Sequence, residues 1–433
     1  MTGDILSDIR RYAKRIIGPV AFSYAKWIIH EAEKRNITRL YFLARDGYLL
    51  YKIAKRICSV GISNIECRYL YCSRASFRAP TYHLIGDEAY ELLTLGGYYI
   101  TPRTILSRAS LSDEEIDEIC DALGVNDKDG SLSDKDLSSF RVKLAECELY
   151  KNAVIKRSIP TYEPTVSYLR QEKLFECDRV AIVDSGWTGS MQRSLRQLLE
   201  SAGYKGELIG FYFGMYNRQK ESCDGEYLTY YFNAQGSIKR KIFFNNNLFE
   251  CMLSADHPMT VGYEHSHGAV FPKFDKGMDE SLKELACHQI CGAMDFVNEK
   301  LSEEYSFKPK SEIKRCYKIL KRAMVYPTRR FATVYGTFTF CDDVTEGYAF
   351  SLAKKDLKKQ LSNYMLIPRI FRKLFKLKKP ECAELLWPYG VIAFAPLLLR
   401  PWYRLNLIGW ELLKALRSHR KNAKESWRKE LQC

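Results

Sequence analysis

The chain has 433 residues, 46% of them hydrophobic and 27% charged, a balance that supplies a core and excludes a disordered chain, a collagen or a simple coiled coil. At ~150 residues per domain, this length leads us to expect two to three domains. The formal net charge is +15, yet residues 351–433 carry 19 Lys/Arg against 6 Asp/Glu, so the preceding residues are nearly neutral.

In chain order, residues 1–36 predict helix, broken or kinked at Gly18-Pro19, with Val20, Tyr24, Trp27, Ile28 and Ala32 on one face. No apolar export signal opens the chain, and the 14 cysteines form no CxxC pair; reduced thiols and a cytoplasmic location are expected. An apolar strand follows at 39–44, then a turn at Arg45-Asp46-Gly47 and a helix whose Leu50, Ile53, Ala54 and Ile57 recur at helical spacing. A second strand is expected at 66–74. The same unit returns later: a continuous apolar strand at 179–184, a turn over Ser185–Ser190, a helix with Met191, Leu195, Leu198 and Leu199 on one face, and a strand at 207–216. Four strands alternating with helices predict an open, parallel α/β sheet over 37–216.

The two halves are separated by 75–178, helical by pattern, where Ser112 is placed to cap a helix ending before Gly124. An insertion of that size in such a topology is expected to cover the strand ends, where these folds bind ligands. The organisation expected is therefore an N-terminal helical segment (1–36), an α/β core (37–74 with 179–275), a helical insertion (75–178) and a mainly helical, basic region (276–433).

The stretch VAIVDSGWTGSMQRSL carries the chemistry. Backbone N–H groups at a helix start, reached over small residues, suit a phosphate monoester. Thr188 and Ser190 add hydroxyls, and Asp184 at the strand end can accept hydrogen bonds from a sugar diol. The pattern is similar to the phosphoribosyl pyrophosphate signature of type I phosphoribosyltransferases, an apolar strand followed by acid-acid-x-x-x-Thr-Gly-x-Thr. Thr188-Gly189 aligns with its Thr-Gly and Asp184 with its second acid; Val183 replaces the first acid and Met191 the final Thr, with Ser190 as a substitute hydroxyl.

FLARDGYLLYKIAKRI and YLYCSRASFR resemble the pyrophosphate loop and the following basic strand end of those enzymes. Together, FLARDG, CSRASFR and IVDSGWTGS resemble a bacterial polysaccharide-locus family, often fused to haloacid-dehalogenase-type phosphatases and implicated in adding ribofuranose to glycans. The resemblance spans about residues 10–275. It implies a phosphoribosyltransferase-like fold, with phosphoribosyl pyrophosphate as donor and Mg²⁺ as cofactor. Arg45, Gly47 and Arg74 would face pyrophosphate, Asp184 the ribose and its metal, and Ser185, Gly186, Trp187, Thr188, Gly189 and Ser190 the 5-phosphate. Asp46 is then a general base or metal contact. The chain has no Asp-x-Asp-x-Thr at a strand end, so the phosphatase that completes the scheme is expected to be a separate protein.

Glu250, inside the apolar run LFECML, is either a base for the acceptor hydroxyl or an exposed residue on an amphipathic helix. Glu264-His265-Ser266-His267 lacks further metal ligands and predicts a loop, and Cys287 and Cys291 predict buried thiols. The longest apolar stretch, 391–399, is interrupted by Pro396 and is shorter than the ~20 residues that span a bilayer. Segments 365–380 and 401–421 interleave Ile370, Phe371, Leu374, Phe375, Trp402 and Trp410 with Arg369, Arg372, Lys373, Lys376, Lys378 and Lys379. That composition suits an anionic membrane surface at which a lipid-linked glycan acceptor is presented, and no nucleic-acid module accompanies it. A nucleotide-salvage phosphoribosyltransferase and a non-catalytic phosphosugar-binding assembly protein are the alternatives.

Overall fold

Two apolar runs, Leu40–Leu43 and Val180–Val183, have no polar face to turn outward, and both are fully buried as central strands. They belong to a five-stranded sheet of β1 (Arg39–Leu43), β2 (Glu66–Leu70), β3 (Arg179–Trp187), β4 (Glu207–Met215) and β5 (Glu226–Phe232). The order is β2-β1-β3-β4-β5, every pair parallel, with Phe42 beside Val183 and Ala181 beside Ile209. This is a computed structural model, and it describes residues 3–97, 100–217, 225–275, 278–303, 307–340, 350–375 and 385–430.

The crossovers lie on opposite faces. Leu50, Ile53, Ala54 and Ile57 of helix Gly47–Ser59 join Leu40, Phe42, Ala181 and Val183 in one apolar cluster. Leu195, Leu198 and Leu199 of helix Ser190–Ser201 join Tyr41, Leu43, Val180 and Ile182 in the other. The chain leaves β1 in one direction and β3 in the other, so the carboxyl ends of these adjacent strands frame the crevice where open α/β sheets bind ligands.

The N-terminal stripe is buried as expected, but a π-helical turn at Ala13–Ile17 precedes helix Gly18–Lys34 and begins ahead of the expected Gly18-Pro19 break. Residues of the insertion form five helices between Asp87 and Gln171 with an apolar cluster of their own, including Tyr90, Ile105, Ile119, Leu144 and Tyr150. Ser112 caps helix Asp113–Ala122 in a capping box with Glu115. The C-terminal region is mainly helical. Phe296, Leu320 and Trp387 join the cluster on the Gly47–Ser59 face, and the Trp387 indole donates to Met324 O at 2.8 Å.

Three sequence expectations need correction. The second strand ends at Leu70 rather than running to residue 74, because Ser73 caps a helix that Arg74 opens. A fifth strand, β5, extends the sheet beyond the four anticipated. In addition, β3 does not end at Asp184: it runs to Trp187, because Gly186 and Trp187 keep parallel partners in Gly214 and Met215. The turn is thereby shortened to Thr188-Gly189.

Candidate functional site

Asp46, just beyond the end of β1, and Asp184, three residues before the end of β3, meet at the crevice. Asp46 occupies the N-cap position of helix Gly47–Ser59, after a cis peptide between Ala44 and Arg45. Asp184 is held by its backbone: the Tyr24 hydroxyl lies 2.9 Å from its carbonyl oxygen and 2.8 Å from that of Phe211. Beyond it, Gly186 has φ of 113° and a Cβ there would meet Gly214 O at 2.3 Å, so only glycine fits. The Ser185 hydroxyl donates to Asp46 Oδ2 and ties the two strand ends together. Glu250, 66 residues beyond Asp184 in sequence, arrives on helix Asn246–Met252 and accepts the Trp187 indole N–H at 2.5 Å.

The three carboxyl groups retain some contact with solvent, but the surrounding protein is dense enough for burial to dominate their titration. Burial and repulsion from Asp46 push Asp184 up to about 7, against the amides of Ser185 and Gly186 and the charge of Arg74. Burial also raises Asp46, opposed by the Ser185 hydrogen bond and by Arg45 and Arg74. Glu250 is likewise raised well above its ordinary range, through burial and the neighbouring Asp46, with the Trp187 hydrogen bond resisting. Three mutually repelling acids in a poorly solvated crevice cannot all ionise near neutral pH, so the site holds protons it can release.

The other half of the crevice is built on backbone. Gly189 sits at φ 68° and no side chain caps helix Ser190–Ser201, which begins two residues beyond the end of β3. Buried Gln192 anchors that turn, accepting from the Tyr212 hydroxyl at 2.7 Å and donating to Glu226 O at 3.2 Å. Thr188 is exposed and Ser190 half-buried. Arg74 opens helix Arg74–Arg78, whose N-cap Ser73 forms a capping box with Ser76. The charge of Arg74 acts on all three acids.

Sequence reasoning missed several partners. The Trp187 indole serves Glu250 and packs among Tyr216, Phe232, Phe244 and Phe249. His257 Nε2 lies 2.6 Å from the Tyr69 hydroxyl and its Nδ1 2.8 Å from Pro258 O, so Nδ1 carries the proton and Nε2 accepts. Tyr48, Tyr71 and Phe274 surround that imidazole in an aromatic wall. Arg78 lies within electrostatic reach of Arg74, Arg108 and Arg193. The one sequence signal was the i, i+4 spacing of Arg74 and Arg78.

Among the described residues no group of three His, Cys, Asp or Glu side chains is placed to hold a metal ion. Asp46 and Asp184 nonetheless fit a Mg²⁺ that brings its remaining ligands on substrate phosphates and water, the usual mode for this ion, and their mutual repulsion favours a cation near them. Glu264, His265 and Ser266 are not the expected loop but end the strand Thr260–Ser266, paired to Phe271, Val270 and Ala269; only His267 lies in the hairpin turn, and His265 pairs with Glu163 at 2.9 Å. Cys287 is half-buried, and Cys291 is exposed rather than buried as expected, because helix Glu280–Leu301 turns that position to solvent.

At the C-terminal end, helix Leu366–Leu374 buries none of its residues, with Leu374 73% exposed. Leu398 is 93% exposed and Trp402 50%. Trp410 instead receives Arg369 over its ring at 4.4 Å. Lys376, Lys378 and Lys379 lie outside the described residues. Among the described residues no helix is long and apolar enough to cross a membrane. Comparison with protein-family models and with curated proteins finds no match to this chain.

Proposed function

We propose that the protein is a glycan phosphoribosyltransferase that moves 5-phosphoribofuranose from phosphoribosyl pyrophosphate to a sugar hydroxyl of a lipid-linked bacterial polysaccharide. The observation that carries this reading is the meeting of Asp46, Asp184 and Glu250 with the charges of Arg45 and Arg74 at the β1/β3 crevice, beside an uncapped helix start. Acids beside a sugar-phosphate cradle suit a reaction that breaks an anomeric C–O bond. The uncapped amides and the hydroxyls of Thr188 and Ser190 hold the 5-phosphate, and Asp184 orients the ribose diol.

The acceptor oxygen attacks the anomeric carbon as the bond to pyrophosphate breaks and its electron pair leaves with the pyrophosphate. Arg45 and Arg74 neutralise that growing charge. Asp46 or Glu250, in its ionised form, takes the hydroxyl proton. The carbon passes through an oxocarbenium-like state, and in-line attack converts the α donor to a β product. Mg²⁺, when bound, supplies further charge neutralisation at the pyrophosphate oxygens. A separate phosphatase then removes the 5-phosphate.

The exposed apolar residues of helix Leu366–Leu374 and of Leu397–Trp402, interleaved with Arg369, Arg372, Lys373 and Arg400, suit an anionic membrane face carrying the acceptor. Purified protein incubated with donor, Mg²⁺ and candidate acceptors tests the reading through pyrophosphate release. Release that depends on a glycan supports it. Release with free purine or orotate favours nucleotide salvage, and donor binding without release under any acceptor favours a phosphosugar-binding protein.

A further inference from the structure

Behind the carboxylate crevice four arginines from three parts of the chain converge. Arg74 and Arg78 come from helix Arg74–Arg78, which packs against helix Ser190–Ser201, the source of Arg193. Arg108 follows helix Pro102–Ser107 of the insertion. Arg74, Arg108 and Arg193 all lie within electrostatic reach of Arg78.

Arg74, Arg108 and Arg193 each have interactions of their own. Arg108 Nη1 donates to Leu93 O at 2.8 Å and to Leu95 O at 2.5 Å, closing the end of helix Asp87–Leu93. Arg74 faces the acids of the crevice. Arg78 differs: it is 4% exposed, its Nε has no hydrogen-bond partner, and no carboxylate pairs with it among the described residues. A guanidinium buried beside other cations without a counter-ion is costly to keep, and structural arginines in such places are paired. Its cost is recovered if an anion completes the site. A planar fork with several donors fits phosphate oxygens better than a single carbonyl.

We propose that Arg78 and Arg193, flanked by Arg74, form a binding site for a phosphate group at the seam between helices Arg74–Arg78 and Ser190–Ser201. The site goes beyond the proposed reaction, which does not use Arg78 or Arg193, and it requires only a phosphate oxyanion. That oxyanion is carried by the donor, by the diphosphate of a lipid-linked acceptor, or by free phosphate.

The test uses the full chain, thermal melting and calorimetry with inorganic phosphate, pyrophosphate, ribose 5-phosphate and geranyl diphosphate as separate probes. At least one probe should raise the melting temperature of the wild type. Arg78→Met should melt at or above the wild-type temperature without probe, because an unpaired buried charge has gone, and should bind that probe at least tenfold more weakly. The preferred probe identifies the source: ribose 5-phosphate the donor sugar, pyrophosphate the donor's leaving group, geranyl diphosphate a lipid-linked acceptor, and inorganic phosphate alone a free-phosphate site. If no probe binds, or if Arg78→Met melts lower yet binds undiminished, the proposal is overturned and Arg78 is structural. If Arg78→Met both melts lower and loses binding, Arg193→Gln decides: weakened binding at an unchanged melting temperature upholds the site, and unchanged binding overturns it. Probe binding through Arg78 without any pyrophosphate release from donor would sink the transferase reading while leaving this site intact.

Discussion

The acids of the β1/β3 crevice and the cations of the C-terminal helices are both gatherings of like charge, and burial separates their consequences. In the crevice, protein displaces most of the water, so Asp46, Asp184 and Glu250 feel one another and are driven toward their protonated forms. On helix Leu366–Leu374, Arg369 and Arg372 are half-buried and hydrogen-bonded to Asn363, while Lys373 stands in water beside exposed Ile370, Phe371 and Leu374, where salt screens its charge. The first arrangement stores protons and suits chemistry on a small ligand. The second stores attraction and apolar area and suits a broad surface. Substitutions in the two regions should accordingly be felt in different measurements.

The largest effect is expected in the crevice. Asp184→Asn should lower donor-dependent pyrophosphate release by about 10²-fold or more, because an amide cannot replace an ionised acceptor on the ribose; an unchanged rate in a coupled pyrophosphate assay breaks the assignment. The same residue sets a pH dependence of stability. Its native carboxyl titrates near about 7 against an ordinary 3.8, so the native chain holds a proton the unfolded chain has given up. Unfolding free energy should therefore fall as pH rises through that interval, by roughly 4 kcal/mol at most for this one group. Urea titrations across the interval should show the slope, and Asp184→Asn should make it shallower by this share, leaving that of Asp46 and Glu250.

Backbone fit at the crevice comes next. Gly186→Ala places a Cβ against Gly214 O at a positive φ, and should destabilise the protein by about 2–4 kcal/mol in chemical denaturation. The smallest stability effect belongs to the C-terminal surface. Leu398→Asp with Trp402→Asp should change folding stability by about 0.5 kcal/mol or less, as exposed substitutions do. It should nevertheless weaken sedimentation with phosphatidylglycerol vesicles by about tenfold. Wild-type binding to those vesicles should also weaken as salt is raised. Equal binding by variant and wild type removes the membrane surface from the account.

Much of the central sheet was legible because β1 and β3 are buried on both faces and therefore read as unbroken apolar runs. The stripe of Leu50, Ile53, Ala54 and Ile57 is equally direct, since helical spacing and burial coincide there. β5 was missed because its first residues, Glu226 to Thr229, are only partly buried and give no continuous run. The turn was drawn too long because Ser185 and Gly186 have turn composition, whereas the ladder to β4 holds them extended. In the site, Asp46 and Asp184 stood out at strand ends, but the bond between Trp187 and Glu250 joins residues 63 apart in sequence. No local pattern announces such a pair. Arg78 was hidden for a related reason: an arginine in a helix reads as surface until the fold buries it.

The placement of Trp187 has an optical consequence. Its indole N–H rests on a carboxyl group whose titration is set by the charges around it, so a charged ligand entering the crevice should alter that neighbour, to which excited indole is sensitive. Tryptophan emission therefore offers a label-free titration of occupancy, and Trp187→Phe identifies the share of the signal arising at the crevice.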